Sequence, residues 1–191
     1  MTAVPDARAR GVRASWVVTA ALFAVYGVLL TWLVVFKLQW PHLGPDSARA
    51  VKLVPFVATT GAGASATWEV LANVVVFAPF GVYLALLAPS CPWWRAVWVT
   101  AGVSTMFEGA QFVLATGKTD VTDVLMNTAG GLLGFGAVLV ARRTFTGRAA
   151  GVLTAVATMG IVVVLLAGAT YVLGPPGGAG LPRAPGVGIH P

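Results

Sequence analysis

Charge is what this sequence has least of. Only 9% of its 191 residues are Asp, Glu, Lys or Arg, against about 25% in an ordinary soluble domain. With 58% hydrophobic residues and a mean hydropathy of +0.86, too little polar surface remains to cover a globule of this size. That excludes a cytosolic enzyme and makes lipid the solvent for most of the chain. One cysteine, Cys91, excludes an intramolecular disulfide and every multi-cysteine metal or redox motif. The two histidines, His42 and His190, give a metal site or a triad only if acidic partners meet them. No phosphate-cradling loop, HEXXH element or kinase signature is present, so no nucleotide or cofactor is expected, and there is no internal repeat. The formal charge of +6 comes without a basic run long enough to hold a polyanion, so nucleic acid is not an expected partner.

What is there is apolar length. A helix needs about 20 mostly apolar residues to cross a bilayer, and five stretches qualify, approximately 16–36, 70–88, 94–115, 121–140 and 152–173. The expectation is an all-α, polytopic transmembrane helical bundle of about five spans. Residues 1–15 form a basic cytoplasmic N-terminus with Arg8, Arg10 and Arg13, and the first span stays as an uncleaved signal anchor. A loop over 37–69 is broken by Pro41, Gly44, Pro45, Pro55, Gly61 and Gly63, with Lys52 to Phe56 as an interfacial or re-entrant piece. Residues 174–191, rich in Gly and Pro, read as a disordered tail. The density of Lys and Arg is higher on the segments sharing a side with the N-terminus, including Arg95, Arg142, Arg143 and Arg148, which predicts N-in and C-out topology in the plasma membrane. Trp16, Trp93, Trp94 and Trp98 fall on an inner aromatic belt, and Trp32, Trp40 and Trp68 on an outer one.

Charges within spans cost at least a few kcal/mol each and need a reason. Each of three consecutive spans carries an acid with an amide one turn away: Glu69 with Asn73, Glu108 with Gln111, and Asp123 with Asn127. The spacings put each pair on one helix face. At about 1.5 Å per residue all three pairs fall in the outer leaflet. Facing inward they form an acidic, amide-rich pocket, with Lys52 or Lys118 as counterion. Asp120, just ahead of the fourth span, reads best as a helix cap. Gly130, Gly131, Gly134 and Gly136 read as helix-packing residues, and Pro79 as a bend in the second span.

The segments Glu69 to Gly81, Glu108-Gly-Ala-Gln111 and Asp120 to Gly134 resemble, in order, the motifs of the VanZ-like family. The resemblance covers about residues 52–140 and leaves the fifth span and the tail outside. It implies a small bacterial membrane protein acting at the cell envelope, in a family named for an accessory protein that lowers sensitivity to teicoplanin. Carried over by position, the family's polar signature is Glu69, Asn73, Glu108, Gln111, Asp120, Asp123 and Asn127. Two positions depart from it: Lys52 stands where an Asn is expected before Leu-Val-Pro-Phe, and Lys118 stands where Arg precedes the Asp-x-x-Asp element. Lysine lacks arginine's bidentate fork, which weakens anion recognition at Lys118.

Four readings stay open. The polar residues act as hydrogen-bonded glue between helices. Alternatively they bind a lipid-linked cell-wall intermediate, a glycopeptide or a divalent cation bridging a phosphate headgroup. In the third reading Glu108 and Asp123 are acid and base of an intramembrane enzyme, although no nucleophile stands beside them. Intramembrane carboxylates also mark proton- or cation-coupled transport, which in so small a chain would need a homo-oligomer.

Overall fold

The computed structural model describes residues 7–37, 41–45, 49–57 and 67–144, together with Val152, Val156 and Gly160, each helical. Among the described residues four continuous helices carry the fold. Helix α1 (Ala7–Phe36) starts well ahead of the expected span and ends where Lys37 turns left-handed at φ 51°. Helix α2 (Thr67–Leu87) contains Pro79. Helix α3 (Trp93–Leu114) starts after Pro92 and stops at Ala115, also left-handed. There the N–H of Ala115 bonds to Phe112 O and the N–H of Thr116 to Gln111 O, which satisfies the last carbonyls of the helix. Helix α4 (Val121–Thr144) carries Asp123 in its first turn and Arg142 and Arg143 in its last, complementing the helix dipole at both ends. Between them, strands β1 (Val51–Lys52) and β2 (Thr119–Asp120) pair in parallel, Val51 with Thr119 and Lys52 with Asp120.

Among the described residues three helical stretches are long and apolar enough to cross a membrane: Arg13–Phe36, Glu69–Leu87 and Val121–Thr144. Five spans are therefore not what the described residues display. The fifth expected span and the tail lie outside them, apart from the three single residues. Helix α3 has the length, 22 residues or about 33 Å, but not the hydropathy of the others. The reason is a polar stripe at helical spacing: Thr100, Ser104, Glu108 and Gln111 are all buried, while Trp98 and Met106 on its other faces are 72% and 73% exposed. Val28, Val75 and Leu133 are likewise exposed. Polar groups inside and large apolar groups outside is the distribution expected where lipid is the solvent.

Cross-helix contacts fix the helix directions. Asn73 meets Asp123 and Ala78 meets Gly134, so α2 and α4 run parallel. Glu108 meets Asp120 and Ser104 meets Asn127, so α3 runs against α4. Tyr26 reaches Val76 and Gln111 reaches Val34, which sets α1 alongside α3 and opposite to α2. The chain thus passes up, down, up and down. The exposed Trp16, Trp93, Trp94 and Trp98 gather at the end where α1 and α3 begin, with the Arg95 guanidinium 5.0 Å from the Trp94 ring. They fit the expected aromatic belt. Trp40 and the Trp68 side chain lie outside the described residues.

Parallel α2 and α4 share the tightest seam, because glycine lets backbone touch backbone. A methyl group at Gly130 would overlap the Val74 carbonyl, one at Gly134 the Ala78 carbonyl, and one at Gly81 the Gly131 carbonyl. Toward the other end an aromatic core of Phe23, Tyr26, Phe77, Phe80 and Tyr83 joins α1 to α2. The Tyr26 hydroxyl donates to the Val76 carbonyl at 2.5 Å. That carbonyl sits in the turn ahead of Pro79, where the proline disturbs the helical ladder. Tyr26→Phe is expected to cost about 1 kcal/mol, read as a lowered unfolding midpoint in detergent with no loss of expression.

Candidate functional site

At the bundle end where α1 and α3 finish and α2 and α4 start, the polar residues come together. Lys52 is only 2% exposed, and its ammonium sits 3.0 Å from Asp120 Oδ2. The other oxygen of Asp120 accepts from the Thr122 N–H at 2.8 Å, capping α4. The backbone N–H of Asp120 donates to Glu108 Oε2 at 2.9 Å, and the Thr119 hydroxyl to the Glu108 carbonyl at 3.3 Å. Glu108 is thereby tied to the strand pair that delivers Lys52. Across the seam, Asn73 Nδ2 donates to Asp123 Oδ1 at 2.6 Å. One turn deeper, Asn127 Nδ2 donates to Ser104 Oγ at 2.8 Å, and Asn127 Oδ1 is buried without a hydrogen-bond partner. Gln111 Nε2 donates to the Val34 carbonyl at 2.8 Å, which binds the end of α1 to the cluster.

The expected residues share this end of the bundle but not the pairing read from their spacing. Acid and amide on one helix turn to different neighbours: on α4, Asp123 meets α2 and Asn127 meets α3, and on α3, Glu108 meets β2 and Gln111 meets α1. Glu108, Gln111 and Asn127 are buried, Asn73, Asp120 and Asp123 are half-buried, and Glu69 is exposed in the first turn of α2, within electrostatic range of Asp123. Of the two candidate counterions, Lys52 is the one paired with an acid of the cluster, while Lys118 is exposed. The parallel strand pairing decides this, because it places Lys52 level with Asp120. Among the described residues no three His, Cys, Asp or Glu side chains are grouped as a metal site would need.

Several participants escaped sequence reading. Ser104 and Thr100 continue the stripe of Glu108 and Gln111 at a spacing of four, a signal present in the chain but carried by hydroxyls too common to single out. Thr122 is fully buried, and its hydroxyl accepts the Phe56 N–H at 3.0 Å. Lys37 lies close to Gly117 and within electrostatic range of Glu108 and Asp123. Arg49 donates to the carbonyls of Phe112 and Val113 at 3.1 and 3.2 Å. None of these could be paired without knowing which loop returns over which helix end.

A family model described as VanZ/LLP1 matches residues 23–142. The chain is 38% identical over 120 residues to Protein VanZ of Enterococcus faecium, covering 62% of this chain and 71% of that protein. No solved structure matches. The family match begins within α1, earlier than the motif resemblance, as suits a helix whose Tyr26 and Val34 are bonded into the core and the cluster. It ends within α4 and takes in every residue of the polar cluster. The chain belongs to the VanZ/LLP1 family.

Proposed function

We propose that this VanZ-like protein is a multi-pass protein of the plasma membrane that binds a lipid or cell-wall ligand at the polar end of its bundle. The N-terminus is cytoplasmic in this reading, so the cluster lies in the outer leaflet, where lipid-linked wall intermediates and glycopeptides meet the membrane. The observation that carries it is the carboxylate of Glu108, 3% exposed, held at the membrane depth of Asp123, Asn73 and the Lys52–Asp120 pair. Packing alone would be served by neutral amides, and an ionisable side chain at such depth is by default a candidate for function. The family membership supports a role in lowering glycopeptide sensitivity, and teicoplanin is the drug to use.

Glu108→Gln and Asp123→Asn test it. Each replacement keeps an oxygen able to accept the bond now made, from the Asp120 N–H or from Asn73, while removing the charge. In a susceptible Gram-positive host, wild type is expected to raise the teicoplanin concentration that stops growth severalfold. Both variants, present at equal membrane levels, are expected to lose that gain. Variants as protective as wild type would reduce the cluster to helix glue, and an inactive wild type would remove the resistance reading.

A further inference from the structure

The chain that delivers Lys52 continues into an unusual turn. Leu53, Val54, Phe56 and Val57 are 70%, 50%, 50% and 56% exposed, whereas Lys52 beside them is buried. The turn is tight and fixed: Phe56 is left-handed at φ 62°, and the Val57 N–H bonds back to the Pro55 carbonyl at 2.8 Å. Its direction follows from the strands. Because β1 runs parallel to β2, and β2 leads straight into α4, the residues after Lys52 must descend beside the first turn of α4. The bond from the Phe56 N–H to Thr122 Oγ1 shows that they do.

The rim above carries the opposite character. Lys37, Arg49 and Lys118 are all exposed at this end. The Thr119 N–H bonds to the Ala50 carbonyl, and the register sets Lys118 level with Ala50, one residue from Arg49, roughly 10 Å above the level of Phe56 and Thr122. Cations at one level and apolar side chains about 10 Å beneath match the phosphates and the upper acyl chains of an anionic leaflet. We infer that residues 53–57 are a membrane-inserting turn whose partner is the phospholipid of the leaflet around the polar cluster, with acyl chains against Leu53, Val54, Phe56 and Val57 and phosphates against the cationic rim. The inference rests on the reading of the helices as membrane spans. It adds to the proposed function a lateral route, because lipid seated on this turn lies next to Lys52 and Asp120.

The test is independent of any antibiotic phenotype. In the full-length protein with Cys91→Ser, single cysteines at Leu53, Val54 and Phe56 are labelled with an environment-sensitive fluorophore and reconstituted into phosphatidylglycerol–phosphatidylcholine vesicles. Met106→Cys serves as the lipid-facing control and Pro45→Cys, exposed beside the Gly44 that bonds to the end of α3, as the water-facing one. The expected result is blue-shifted emission at the three positions, like Met106, and stronger quenching by a spin label near the headgroup than by one at the bilayer centre. Iodide accessibility equal to that of position 45 would overturn the inference. So would blue-shifted emission that spin-labelled lipid fails to quench, since protein would then cover the turn. The teicoplanin experiment can fail while this one succeeds, and the reverse, so the two readings are separable.

Discussion

Gly134→Leu is expected to abolish the folded protein, and Gly134→Ala to cost it a substantial part of its stability. The Cβ of any residue at 134 would overlap the Ala78 carbonyl, and a backbone carbonyl in the middle of a helix cannot swing aside as a side chain can. Helices α2 and α4 would have to separate along the seam that also includes Gly130 and Gly81. Overpacking costs about 1–3 kcal/mol in ordinary cores, and the upper end applies where both partners are main chain. Gly136 is the control, two residues away on the same helix with nothing near its added methyl. There alanine should be neutral or stabilising by up to about 1 kcal/mol through helix propensity. Unfolding midpoints in a detergent titration of the two alanine variants would check this, and equal midpoints would refute the close seam.

Lys52→Met should be comparably damaging, for an electrostatic reason. Removing one partner of a buried ion pair strands the other, at a cost of about 3–5 kcal/mol, and Asp120 has 14% of its side chain exposed. The same acid caps α4 and anchors Glu108 through its main chain, so the damage should spread to the candidate site. Adding Asp120→Asn to Lys52→Met removes the stranded charge while keeping an acceptor for the Thr122 N–H, and should recover most of the loss. If Lys52→Met alone melts like wild type, Lys52 and Asp120 do not pair in the membrane. If the double variant remains as unstable as the single one, the cause is lost packing of the lysine stem and not the charge.

Much of the fold was legible because lipid imposes simple rules. The lengths and positions of three apolar helices follow from runs of hydrophobic residues, and the shared depth of the acids and amides follows from counting 1.5 Å steps along them. Gly130 and Gly134 announce a close helix contact before any partner is known. Helix α3 is a mixed case. Its bounds, Trp93–Leu114, fall within a residue of the expected 94–115, but its inward polar stripe lowers its hydropathy below that of the other three helices.

Sequence by itself determined the apolar character of the chain, the helices among the described residues, the gathering of the acids and amides toward one helix end and the cap at Asp120, since each depends on residues near one another in the chain. Only tertiary structure decided the partners. Which lysine meets Asp120, that Asn73 bonds to Asp123, that Gly130 faces Val74, and that residues 53–57 descend beside α4 all join positions about 50 to 70 residues apart. Such contacts are set by which helix ends the loops bring together and by the two-residue parallel strand pair that fixes their register. A pairing of that length leaves no periodicity to read along the chain.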